Sequence, residues 1–258
     1  MDWFRRWRRA RILRHHRIPV DDFRQVVAAL PILDGLTADE LQRLRERASL
    51  LLHDKTFSAA GGAEVAPSLQ LAIAVQASLL TLELDETSYD GWSEIILYPD
   101  EFLRDRVETD EAGVVHHSRD ILAGESWHGG PLVLSLADVA ISGQGDGFNV
   151  VLHEFAHKLD MRNGDANGFP PLHRGMDAGA WARDFSAAYE DLCRRVDAGE
   201  DTPIDPYASY DPGEFFAVLT EAFFETPQLV LAEYPAVYEQ LRQFYRQHPL
   251  ARQEAAHA

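Results

Sequence analysis

The sequence predicts an α+β fold, with a helical start, a small mixed sheet in the middle and helices to the end. Three observations predict it. Apolar residues recur at helical spacing before residue 82 and again after residue 150. Two short apolar runs, Glu94-Ile95-Ile96-Leu97-Tyr98 before Pro99 and Leu132-Val133-Leu134-Ser135-Leu136, read as strands. Between them Gly113, Gly124, Gly129 and Gly130 punctuate a mixed stretch into hairpins and loops.

Taken in order, Phe23, Val26, Val27 and Leu30 make the first amphipathic stripe, ending near Pro31. Thr37 followed by Glu40 is a capping box that starts a second helix carrying Leu41 and Leu44. Gly61 and Gly62 mark a turn, and an apolar helix follows over residues 68–80. Val65 to Leu82 is uncharged, but Pro67, Ser68, Gln70, Gln76, Ser78 and Thr81 make it too polar for a bilayer span, so it reads as a buried helix. After a loop with Gly143, Gly145 and Gly147, helical periodicity resumes through Val150, Val151, Leu152 and Phe155. Further helices are expected over residues 178–196, 212–225 and 234–247. The expected organisation is a mobile Arg-rich arm at 1–19, one domain over 20–248 and a tail over 249–258.

The charge is unevenly spread. The chain of 258 residues has a formal net charge of -18, yet residues 1–17 hold seven arginines against the single acid Asp2, leaving 17 basic and 41 acidic residues elsewhere. A body so acidic is a poor fit to nucleic acid, whose binding rests on neutralising phosphates. The lone Cys193 forms no internal disulfide and points to the reducing cytoplasm, with a buried, inert thiol on the apolar side of its helix. The basic start lacks the apolar stretch of a signal peptide.

The most informative segment is Val150-Val151-Leu152-His153-Glu154-Phe155-Ala156-His157-Lys158-Leu159-Asp160. Two histidines four apart sit one helical turn from each other and can reach one ion. Glu154 lies about 100° around the helix from His153, placed to hold a water bound to that ion. Val151, Leu152, Phe155 and Leu159 supply the core-facing stripe and leave the histidines at its edge. A catalytic zinc takes three protein ligands and keeps a fourth position for water, so a third ligand is required from elsewhere. Glu214 and Glu221, seven apart in Asp211-Pro212-Gly213-Glu214 through Glu221, share a helix face, and either could supply it. Asp211 at the N-cap with Pro212 next also gives Glu214 a structural reading, as a side chain reaching back to the cap. The spacing leaves that choice open. Asp160 returns to the ligand face, where it could fix an imidazole tautomer or serve as an ordinary charge near a helix end. His116, His117, His128 and His173 read as surface or loop residues, and Gly124-Glu125-Ser126-Trp127-His128 lacks the final glycine of a serine nucleophile elbow.

HEFAHKLDM, then IDPYA, then EFFAVLTEAFF resembles the Mlc titration factor A family of bacterial zinc metallopeptidases, as do Tyr98-Pro99-Asp100-Glu101-Phe102 and Gly130 to Ser135. The likeness spans most of residues 20–245. A similar active-site arrangement occurs in the catalytic domain of anthrax lethal factor, where a Tyr stands seven residues before the ligand Glu. That resemblance implies a zincin-like fold, one Zn2+ per chain held by His153, His157 and Glu214, and Glu221 behind the ligands or at the core edge. It implies Glu154 as the base and acid of peptide hydrolysis and Tyr207 as donor to the oxyanion, against a plainer reading of Tyr207 as a loop aromatic packed beside Pro206. It also implies an aminopeptidase acting on peptides, or alternatively a regulatory protein that sequesters a transcription repressor such as Mlc, the zinc then being structural or controlling. The strand at 132–136 reads as a paired core strand on its residues alone, whereas the zincin likeness implies a substrate-binding sheet edge. Acidic residues flanking Tyr207 and Glu214 suggest a preference for basic or neutral over acidic substrate termini.

Overall fold

The computed structural model describes residues 2–60, 65–99 and 129–256, with the backbone of three strands between the last two segments. The Gly61-Gly62 turn, Asp100, Glu101, Trp127, His128 and His257 lie outside the described residues.

The Arg-rich start, expected as an arm apart from the domain, is a helix, α1 (Asp2–His15). It is followed by α2 (Val20–Ala28) and α3 (Ala38–Asp54). Ile12 of α1 is buried, and ion pairs hold α1 to α3, from Arg8 to Asp54 and from Arg9 to Glu46, 2.6 Å, and to the turn after residue 80, from Arg9 to Glu86, 2.9 Å. Thr37 and Glu40 cap α3 reciprocally: the Glu40 N–H donates to Thr37 Oγ1 at 3.3 Å, and the Thr37 N–H donates to Glu40 Oε2 at 2.8 Å.

The sheet follows. Strand β1 (Thr56–Ala59), helix α4 (Pro67–Leu80) and strand β2 (Glu94–Tyr98) form a parallel crossover. An antiparallel hairpin, β3 (Phe102–Thr109) with β4 (Val115–Leu122), stands apart as its own two-stranded sheet. Strand β5 (Gly124–Ser126) pairs antiparallel with β6 (Leu132–Ser135), and β6 pairs parallel with β2, giving the order β1-β2-β6-β5. The expectation that 132–136 offers a free sheet edge is therefore corrected. Leu132 to Ser135 are buried and pair with β2, Leu132 to Leu134 pair with β5 on the other side, and Leu136 already belongs to the short helix α5 (Leu136–Ile141). The edge on that side is β5, and the two outer positions were not separable from sequence because strand order is set by pairing between distant segments.

Helix α4 carries Ile73, Ala74, Val75, Ala77, Leu79 and Leu80 inside the core, as its uncharged sequence predicted. Behind it lie α6 (Val150–Asp160), α7 (Ala178–Asp197), α8 (Pro212–Glu225), α9 (Pro227–Glu233) and α10 (Pro235–Tyr245). Trp181, Phe185, Phe216 and Phe244 form an aromatic cluster where α7, α8 and α10 meet. The expected tail is another helix, α11 (Pro249–Ala256), seated on the N-terminal part of the chain. Gly35, at φ +77°, makes that seat possible, because a Cβ there would stand 2.3 Å from the Arg252 carbonyl oxygen. Among the described residues no helix is long and apolar enough to cross a membrane.

Candidate metal centre

Helix α6 is positioned by its N-cap. The Asn149 side chain accepts the Leu152 N–H at 3.0 Å and donates through Nδ2 to Gln76 on α4, 2.8 Å, and to Glu225 at the end of α8, 2.7 Å. One buried amide thus ties three helices together. Helix α8 begins at Asp211, whose Oδ1 accepts the N–H groups of Gly213, 2.7 Å, and Glu214, 2.9 Å. The cap is complete without the Glu214 carboxylate, which turns to α6 instead.

There it meets both histidines. Glu214 Oε2 lies 2.9 Å from His153 Nε2 and 3.4 Å from His157 Nε2, and the two nitrogens are 3.2 Å apart. Ligand atoms on a tetrahedral ion with bonds of about 2.0–2.1 Å are about 3.3 Å from one another. The three atoms therefore already form a tetrahedral face, and two imidazole nitrogens with one carboxylate are a donor set suited to zinc. Glu221 lies on the opposite nitrogen of the same ring: His153 Nδ1 donates to Glu221 Oε1 at 2.7 Å, while Glu221 Oε2 accepts the Asn149 N–H at 2.6 Å. A proton on Nδ1 leaves the Nε2 lone pair for an ion. The geometry sets Glu214 among the converging atoms and Glu221 behind His153.

The electrostatics agree with this division. Burial by itself lowers the pKa of His153, but Glu221 and the hydrogen bonds to both glutamates outweigh it and hold the ring well above its ordinary value. Burial would raise Glu214, and the hydrogen bonds from His153 and His157 reverse that, placing its carboxyl well below the usual range. Glu221 goes the other way, raised by burial despite His153. Glu225 is raised by burial to about 7, against the hydrogen bonds it accepts from Asn149 and Gly145.

Glu154 and Tyr207 share one cavity with His153, about 630 Å³ in volume, whose walls also include Asp146, Phe148, Val150, Ile204, Asp205 and Leu229. Tyr207 sits on a 3-10 turn, Pro206–Ser209, opened by Asp205 accepting the Tyr207 N–H at 2.9 Å. Its ring centroid is 6.1 Å from that of His153, and 43% of the residue is exposed. Burial of the phenol, with Glu214 and Glu154 close by, raises its pKa and keeps the O–H protonated. Asp160 takes neither of its expected roles. It is buried, its Oδ2 accepts the N–H groups of Asn167, 2.8 Å, and Gly168, 2.7 Å, and His157 Nδ1 has no hydrogen-bond partner among the described residues. Asp160 thereby pins the loop after α6 against the first turn of α8. Cys193 is half-buried and donates to the Ser209 carbonyl at 3.6 Å.

Asn149, Gln76 and Glu225 were missed from sequence. A signal existed for two of them: Asn149 directly precedes the apolar run of α6, as an N-cap does, and Glu225 continues the face of Glu214 and Glu221.

An α+β domain that brings a His-x-x-x-His helix against a glutamate from a second helix, with another glutamate and a tyrosine on the same cavity, is the architecture of a metallopeptidase. Comparison with known proteins gives the same class: the family described as glucose-regulated metallo-peptidase M90 matches residues 4–246, and the chain belongs to that family. It is similar to the Mlc titration factor A of Klebsiella pneumoniae, 40% identical over 226 residues, covering 87% of this chain and 85% of that one. It is also similar to the protein of that name from Serratia proteamaculans, 41% identical over 231 residues and 88% of each chain, and from Yersinia pestis, 40% identical over 226 residues, 86% and 83%.

Proposed function

We infer that the chain is a cytoplasmic zinc-dependent aminopeptidase whose ion is held by His153, His157 and Glu214. The convergence of those three ligand atoms within tetrahedral spacing beside the cavity of Glu154 and Tyr207 carries the reading. When bound, the zinc supplies Lewis acidity, lowering the pKa of a water and polarising a peptide carbonyl. Glu154 takes the proton of the attacking water and returns it to the leaving amine. The raised pKa of Tyr207 keeps its phenol a donor, and it faces Glu214, so it is placed to hydrogen-bond the oxyanion as charge develops. Glu221 fixes the tautomer and orientation of His153. Asp146 and Asp205 on the cavity wall favour a substrate with a free amino group or a basic side chain over an acidic one.

The test is metal analysis of the purified protein together with a panel of aminoacyl substrates. Stoichiometric zinc, and amide cleavage lost in Glu154→Gln with the metal retained, are expected. Full cleavage by Glu154→Gln, or zinc well below one per chain, refutes the reading.

The relatives' name favours a second function on the same chain, the sequestering of an Mlc-like repressor. Under that function Glu154→Gln binds the repressor as wild type does, and a pull-down with the inactive variant separates the two activities.

A further inference from the structure

Helix α1 is over-equipped for docking onto α3. Arg8 and Arg9 pair with Asp54, Glu46 and Glu86, Arg17 just beyond the helix pairs with Glu46, and Ile12 enters the core. Four further arginines, Arg5, Arg6, Arg11 and Arg14, are exposed and have no acidic partner among the described residues. Three large aromatics stand out as well. Trp3 is 77% exposed, Phe4 60% and Trp7 47%. With about 100° of turn per residue, Trp3, Phe4, Trp7, Arg11 and Arg14 fall within an arc of about 100° that leaves out Ile12, Arg8 and Arg9. Phe4 and Trp7 are neighbours, with ring centroids 6.1 Å apart, and the Arg11 guanidinium lies 5.5 Å from the Trp7 ring centroid.

We propose that this face of α1 is a membrane-surface binding site, by which the protein lies on bilayers rich in anionic lipid. Tryptophan and phenylalanine beside arginine are the composition of a helix that rests in the plane of the headgroups, the rings entering the acyl boundary and the guanidinium groups meeting lipid phosphates. The two alternatives fit less well. Duplex nucleic acid would satisfy the arginines but leave three aromatic side chains without a base to stack on, and it would face a body holding 41 of the 42 acids. A two-fold contact between copies would bury the aromatics but set Arg11 and Arg14 against their own images. The inference is independent of the zinc site, because no residue of this face lines the catalytic cavity.

The experiment is sedimentation of the full chain with vesicles of phosphatidylcholine alone and of phosphatidylcholine mixed with phosphatidylglycerol, followed by tryptophan emission. Wild type is expected to sediment with the mixed vesicles and to shift its emission to the blue, to do neither with phosphatidylcholine alone, and to release as salt is raised. Arg11→Gln with Arg14→Gln should weaken binding about fivefold per arginine removed. Trp3→Ser, Phe4→Ser and Trp7→Ser together should abolish it, with thermal melting and peptide cleavage as in wild type. The proposal is overturned by equal sedimentation with both vesicle types, by variants that bind as wild type does, by tighter binding to a duplex DNA probe than to vesicles, or by a solution dimer that the triple variant dissociates.

Discussion

Replacing Glu221 by glutamine isolates what this residue contributes to the metal centre. The carboxylate accepts from two donors at once, His153 Nδ1 at 2.7 Å and the Asn149 N–H at 2.6 Å. An amide of the same shape offers one oxygen, so its NH2 must face one of those donors. If the oxygen stays on Asn149, the amide nitrogen confronts His153 Nδ1, the ring moves its proton to Nε2, and the ligand lone pair is lost. If it turns to His153, the buried Asn149 N–H is orphaned at a cost of about 1–3 kcal/mol in stability. In either case a negative charge that raises the basicity of His153 disappears. Metal affinity should fall about 10- to 100-fold, equivalent to about 1.4–2.8 kcal/mol. Competition for zinc against a chromogenic chelator measures it, with a melt of the metal-free protein to register any folding cost. At saturating zinc the variant should recover most of its turnover, unlike Glu154→Gln. A variant that binds zinc within about threefold of wild type while cleaving as poorly as Glu154→Gln would refute the argument, since Glu221 would then act in the chemistry and not through His153.

Zinc affinity should also fall with pH. Although burial opposes it, Glu221 and Glu214 hold the His153 pKa above its ordinary value. Below that raised value the ring carries a proton that the metal must displace, so affinity drops about tenfold per pH unit for each proton released, and metal titrations between about pH 8 and pH 6 check it. Gly168→Ala should destabilise by about 2 kcal/mol or more. Gly168 has φ +74°, and a Cβ there stands 2.4 Å from the Pro212 carbonyl oxygen at the start of α8. Chemical denaturation measures the loss, and zinc affinity should weaken with it because the first turn of α8 carries Glu214.

What could be read from the sequence was local. The capping box of Thr37 and Glu40, the His153-Glu154-x-x-His157 turn and the Asp211-Pro212 start of α8 each lie within a few residues, and each forms as its chemistry dictates. What could not be read depends on partners far along the chain. The arginines of α1 looked detached because Glu46, Asp54 and Glu86, which hold them, lie tens of residues away. Strand β1 is four residues long, too short a run for alternation to show, and β6 loses its expected edge to three residues of β5. Between Glu214 and Glu221 periodicity could not choose, since both occupy one face. Only the height at which α6 crosses α8 decides it, and that crossing sets His153 between the two carboxylates, one on each ring nitrogen.

That crossing also explains how so acidic a chain can bury Glu221 and Glu225 and half-bury Glu214 on one face of a single helix. Burying carboxylates this way is costly unless each is paired and hydrogen-bonded. No lysine or arginine pairs with them among the described residues; their partners are imidazoles, the Asn149 amide and the N–H groups of Asn149 and Gly145. Lys158, next to His157 in sequence, sends its ammonium to the Gly130 carbonyl at 2.9 Å instead. A fixed side-chain cation at Glu214 would compete with a metal dication for the same charge, whereas a proton on an imidazole is displaced when a metal binds, leaving the row a deficit of positive charge that the dication offsets. The row is thus both a structural cost in the metal-free protein and the source of its affinity for a cation. Breaking one of the hydrogen bonds that satisfy the row, by substitution at Asn149, Glu221 or Glu225, adds to that cost and disturbs the ligand geometry, so stability and metal binding should fall together.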